Sequence, residues 1–362
     1  MTDSTKFPSA ENSGEELRRP SNEPRNQFSN QLVDQPNDPS LPGPAAAGEP
    51  FTVRTIFFGK DGLRAGWSLI IFVALMYLLL KGVSAIGKYF HAFSGQGTGE
   101  ITPSFGIFAE GLPFLAVLFA TWIMSLIEKR PNGVYGLGGQ RPVSRFFTGL
   151  GWGVACLSLL IFILWAAGLL VFDSRLLFGG AVPHYGAIWL VGFLMVGLLE
   201  EYLTRGYLLF TLSRGLAGLY SSLTETRHSK ALGFWTAAIV LSTLFGLGHG
   251  SNPGESPIGL LSAGLAGLVF CLSLWRTGSL WWAIGFHTSW DWAQSFLYGV
   301  ADSGLMVQHH LFATHPVGTP LMSGGTTGPE GSIFVLLVLA LISLLIIFTL
   351  PRKTGVASEL AS

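Results

Sequence analysis

From Arg64 onward the chain alternates long apolar runs with short polar breaks, and this pattern restricts the fold more than any other feature. At about 20 residues per bilayer crossing, eight runs qualify as spans. They are Gly66–Ser84, Phe105–Ile127, Phe147–Phe172, Ala187–Leu212, Leu232–Leu247, Ile258–Trp275, Ser279–Val300 and Gly331–Leu350. With 49% hydrophobic and only 12% charged residues, the chain is too apolar for an ordinary soluble domain of its length. The expected fold is all-α: a polytopic membrane helix bundle of about eight transmembrane helices.

The breaks orient the bundle. Lys129, Arg130, Arg141 and Arg145 follow the second run, Arg214, Arg227 and Lys230 the fourth, Arg276 the sixth, and Arg352 and Lys353 the eighth. The odd-numbered breaks carry only Lys88 and Arg175. By the positive-inside rule both termini face the cytoplasm, and the break Ala301–Glu330, with His309, His310 and His315, faces outward.

Residues 1–55 form a separate section, rich in Pro, Ser, Asn, Glu and Gly. That composition buries too little surface to offset ordering entropy, so a disordered cytoplasmic tail is expected, with no signal-peptide core. Residues 64–185 hold N-terminal transmembrane helices. Residues 186–298 hold the middle group of spans, and 299–362 an external loop, the last helix and a short tail. The zero net charge leaves no basic face for nucleic acid. Cys156 and Cys271 lie in apolar runs without a C-x-x-C partner and read as packing residues.

Within Leu190–Phe210 the apolar sequence is interrupted by Glu200, Glu201 and Arg205. A charge at membrane depth costs about 2.5–3.5 kcal/mol on insertion scales, so three ionisable groups in six residues must be paired or used. Glu201 and Arg205 are four apart and share a helix face. Glu200 is rotated by about 100° and is left free for a water or a metal. Phe245-Gly-Leu-Gly-His249 places an aromatic ring one turn from an imidazole, and His287-Thr-Ser-Trp-Asp291 puts a carboxylate one turn from another. A lone histidine near a helix end is usually a satisfied polar group, and an intramembrane Glu–Arg pair is often structural. Trp281, Trp282, Trp290 and Trp292 read as packing or interface anchors. Two glutamates and two histidines on three helices of one apolar bundle are a different matter: the set points to an enzyme working inside the bilayer.

Glu200-Glu201-x-x-x-Arg205-Gly206, then Phe245-x-x-x-His249, then His287-x-x-x-Asp291, resembles the CPBP family of intramembrane proteases. That family joins type II CAAX prenyl endopeptidases with bacteriocin-processing and lysostaphin-resistance-like membrane proteins. The similarity covers Gly186 to Tyr298. It implies a peptidase in which Glu200, helped by His249, activates water against a peptide carbonyl. His287 and Asp291 then stabilise the oxyanion, while Glu201, Arg205 and Phe245 support the site. The family often has Asn at the last position, where this chain has Asp291. The family is also often called metalloprotease, and a metal here would be zinc held by Glu200, His249 and His287. With no H-E-x-x-H in the chain, and one glutamate unable both to bind zinc and to act as base, a metal-free mechanism is preferred.

The expected partners are a peptide or protein substrate in or at the membrane and membrane lipid. The expected setting is a bacterial plasma membrane. The competing readings are a transporter that couples protons or ions through the same groups, without the internal repeat such proteins show, and a non-catalytic membrane scaffold. One geometric tension stands. The span boundaries put His249 at the external end and His287 nearer the cytoplasm, yet both must reach Glu200 at mid-membrane.

Overall fold

The computed structural model describes residues 53–59, 62–89, 99–224 and 226–351. The expected tail lies, up to residue 52, outside the described residues, as do Arg352 and Lys353. The main helices are α1 (Ala65–Tyr89), α2 (Pro103–Glu128), α3 (Pro142–Ala166), α4 (Ala181–Glu201), α5 (Leu209–Thr224), α6 (Ser229–Gly248), α7 (Pro257–Thr277), α8 (Trp281–Trp292) and α9 (Phe334–Thr349). A π-helical segment, Tyr202–Leu208, joins α4 to α5, and a second, Ala293–Leu297, continues α8.

Local sequence sets these limits. Thr102 caps α2 by accepting the Phe105 amide at 3.3 Å, and Pro103 takes the first turn, where its missing N–H costs nothing. Ser256 and Pro257 do the same for α7. Gly278 ends α7 in the left-handed conformation, φ 65°, which a residue without Cβ adopts freely.

Among the described residues, six helical stretches are long and apolar enough to cross a membrane, and α9 is a shorter one. The protein is an integral membrane helix bundle. The expected count of eight is not confirmed. The seventh run becomes α8 plus its π segment, and the eighth shortens to the 16 residues of α9. The stretch Ala181–Thr224 is 44 residues long, about 66 Å at 1.5 Å per residue, more than twice a hydrocarbon core of about 30 Å. The third run also divides. Its helix stops at Ala166, Gly168 turns the chain at φ 69°, and Leu170–Arg175 is a strand. An apolar Leu-Val-Phe stretch suits either element, so the run's length alone misled.

That strand pairs antiparallel with Phe312–Pro316, and Glu100–Ile101 pairs with Met306–Val307 in parallel. Both partners belong to the segment expected as an external loop. It is instead a folded cap. Thr326 and Thr327 donate to the Gly254 carbonyl at 2.8 and 3.1 Å, Gly304 N–H bonds Thr327 O, and Leu311 N–H bonds Phe296 O. The three histidines separate: His309 stacks on Tyr185, His310 bonds Phe312 O, and His315 pairs with the exposed Asp173.

Helix α8 is buried along most of its length, so its short span and π continuation are shielded by protein, as irregular backbone at membrane depth must be. Small residues bring it that close. A Cβ on Gly149 or Gly153 of α3 would fall 2.1 Å from Trp282 O or Ser289 Oγ, and one on Gly285 2.1 Å from Phe146 O. Across the other face, a Cβ on Gly197 of α4 would meet Thr288 Oγ1 at 2.8 Å. Close backbone approach of this kind drives helix association in lipid, where the hydrophobic effect is absent. It clamps α8 between α3 and α4 and fixes where His287 points.

Candidate active site

Glu201, at the end of α4, is fully buried and Arg205 is 3% exposed. Arg205 Nη1 donates to Glu201 Oε1 at 3.0 Å. The guanidinium lies over Phe245, 4.1 Å from the ring centroid, with Phe270 beyond at 5.8 Å. His287 Nδ1 also meets Glu201 Oε1 at 3.0 Å. A carboxylate bound to arginine has no proton to give, so Nδ1 carries the hydrogen and Nε2 faces the other way. There it meets Asp291 Oδ2 at 3.5 Å and Glu200 Oε2 at 3.7 Å, distances of ionic contact beyond a good direct hydrogen bond.

His249 belongs to a different turn, at the end of α6. Its Nδ1 donates to the Phe245 carbonyl at 2.8 Å, and its ring packs edge-on against Phe245 with centroids 4.7 Å apart. A neutral imidazole held this way presents the Nε2 lone pair. Glu200, His249, His287 and Asp291 all line one cavity of about 210 Å³. Its remaining wall is largely apolar, with Phe105, Trp189, Phe193, Phe270 and Trp290 prominent. The tension over depth is thereby resolved. The cavity extends from Glu200 to the cap, so His249 at its upper rim and His287 on its wall share one space.

Glu201 has a larger part than the support expected of it, because it orients His287 as well as pairing with Arg205. The π segment between Glu201 and α5 carries no sequence signal, yet such insertions concentrate at functional sites. It is held from its far side: Tyr207 Oη donates to the buried Glu128 at 2.9 Å and Tyr135 Oη at 3.2 Å. Burial, with the Glu128 carboxylate beside it, pushes the Tyr135 phenol up.

Three cavity residues were missed from sequence: Glu110 on α2, and Asp302 and Glu330 in the cap. Glu110 had a usable signal, being the one charged residue between Phe105 and Ile127. Glu330 accepts from Trp290 Nε1 at 3.3 Å and from Ser303 Oγ at 3.0 Å, which ties the cap to α8. Asp302 accepts from Ser295 Oγ at 3.3 Å. Burial, chiefly, and the neighbouring Asp291 and Glu330 push the Asp302 carboxyl well above its ordinary value.

The residues do not fit a zinc site. Among the described residues no three His, Cys, Asp or Glu side chains are grouped to hold a metal ion. Glu200, His249 and His287 share a cavity, and the Nδ1 bond of each histidine leaves its Nε2 open, but among the described residues Glu200 meets only His287 and makes no ion-pair contact with His249. The expectation of a possible zinc triad, and the metalloprotease label with it, is not supported.

Fold and site together define a class: integral membrane helix bundles with a carboxylate–imidazole cluster lining a largely apolar cavity. Residues 182–293 match the family model described as type II CAAX prenyl endopeptidase Rce1-like. This segment is similar to that protease family, in agreement with the motif resemblance. No curated protein and no solved structure matches the chain.

Proposed function

We propose that the protein is an intramembrane endopeptidase in which Glu200 activates water for attack on a peptide bond. The observation carrying this reading is the placement of Glu200 Oε2 3.7 Å from His287 Nε2 on one cavity wall, inside a segment similar to a protease family. Glu200 takes a proton as the water oxygen bonds to the scissile carbonyl carbon, with His249 Nε2 as a second acceptor at the rim. Negative charge moves onto the carbonyl oxygen. His287, held by Glu201, offers an Nε2–H to that oxyanion, and Asp291 in its protonated form adds a second donor. Glu200 then returns its proton to the departing amine as the C–N bond breaks, leaving a carboxylic acid and an amine.

The substrate in this reading is a membrane-associated peptide or protein segment, bounded by lipid and drawn into the apolar cavity. Both termini face the cytoplasm and the cap faces outward, in a bacterial plasma membrane. The test compares Glu200→Gln with the parent protein, purified in detergent, against a library of membrane peptides. General-base catalysis contributes about 10²–10⁴-fold, so cleavage is expected to fall by that factor while the melting temperature holds. Equal cleavage by both proteins would remove Glu200 from the mechanism.

A further inference from the structure

Glu110 sits on a membrane-spanning helix, faces the cavity, and among the described residues has no hydrogen-bond or ion-pair partner. Its registration against α4 follows from two close approaches. A Cβ on Gly106 would meet the Trp189 ring at 3.0 Å, and one on Gly111 would meet the Met195 side chain at 3.7 Å. Glu110 is therefore level with the turn before Met195, about six residues short of Glu200, or about 9 Å along the helix axis. The two carboxylates nonetheless repel each other. An extended peptide covers about 3.3 Å per residue, so Glu110 stands two to three residues from the bond that Glu200 would attack, on the cap side.

Among the described residues no Lys or Arg lines the cavity, and its two imidazoles are set against five carboxylates. Glu201 has Arg205 and Glu330 has Trp290 and Ser303, whereas Glu110 has nothing to offset its cost at membrane depth. A cation brought in by the substrate would supply the missing partner. Resting on the endopeptidase reading, we propose that Glu110 determines specificity by binding a Lys or Arg side chain of the substrate, two to three residues from the scissile bond. The substrate class is then an apolar membrane segment carrying one basic residue near its cleavage site.

The probes are apolar helical peptides with a single Lys, or norleucine in its place, moved through each position within three residues of the cleaved bond. The protein is expected to favour the Lys peptide at one such position. Glu110→Gln is expected to reduce the Lys-over-norleucine ratio of kcat/KM at least tenfold, mainly through KM. A structural role would lower both peptides together and leave the ratio unchanged, and that result overturns the proposal. Fluorescent versions of the same peptides, titrated into Glu200→Gln and Glu110→Gln/Glu200→Gln proteins, give a readout that needs no turnover. Lys-selective binding lost with Glu110 sustains the proposal even if the endopeptidase reading fails. Binding indifferent to Lys or to Glu110 ends it even if cleavage is real.

Discussion

Glu201 Oε1 serves Arg205 and His287 at once, at 3.0 Å each. Its buried charge is tolerable only because both cationic partners are present. Removing one partner of a buried pair costs about 3–5 kcal/mol through the charge left behind. Arg205→Ala is expected to lose stability in that range, read as denaturant or thermal unfolding in detergent. Adding Glu201→Gln to that variant should recover part of the loss, because the stranded charge is gone. Arg205→Lys should rescue incompletely, since an ammonium lacks the planar face that lies over Phe245. Asp302 makes a different test. Its raised native pKa means that the folded protein holds the proton to higher pH than the unfolded chain does. By linkage its contribution to stability is fullest below the ordinary Asp value of about 3.9 and declines as pH rises through the native one. Asp302→Asn, neutral throughout, should flatten the fall in melting temperature between pH 5 and pH 8. An unchanged slope would mean that Asp302 is ionised in the folded state.

At the scale of elements, placement of His287 depends on the contact of α3 with α8. The Cβ of Gly149→Ala would lie 2.1 Å from the Trp282 carbonyl, a backbone atom that cannot rotate away. Overpacking of this kind costs about 1–3 kcal/mol, and displacement of α8 should lower activity further. Gly151→Ala, two residues on with open space around it, is the matched control and should be neutral or stabilising by up to about 1 kcal/mol. If both variants behave alike, α3 does not clamp α8. These glycines were visible in the sequence but their partners were not, because a G-x-x-x-G spacing says nothing of which helix it meets. The pairing of Glu201 with Arg205 was legible, since four residues return to one face whether the turn is α or slightly wider. His287 on Glu201 was not, being a contact across 86 positions. The π segment was equally hidden, because its residues differ in no simple way from those of an α-helix.

For the whole molecule, the cap decides which side of the membrane supplies the cavity. The strand pairings and the bonds to Gly254 gather the ends of α2, α6, α7 and α8 beneath Ala301–Glu330. The basic breaks after α2 and α7 lie at the opposite ends of those helices. In the proposed orientation, with the basic breaks inside, the cap is external and substrate would reach Glu200 from that side. Cysteine labelling tests this directly, because the two native thiols, Cys156 at 4% and Cys271 at 1% exposure, are buried and give a low background. Thr319→Cys is at an exposed position in the cap, and Asn132→Cys at an exposed position in the break after α2. In intact cells a membrane-impermeant maleimide is expected to label Cys at 319 and to reach 132 only after permeabilisation. The reverse pattern would put the cavity mouth in the cytoplasm, and substrates would then have to be sought among cytoplasmic segments entering the membrane. Labelling of both in intact cells would mean that positions 132 and 319 share a face, against the placement of the break after α2 at the end of that helix opposite the cap.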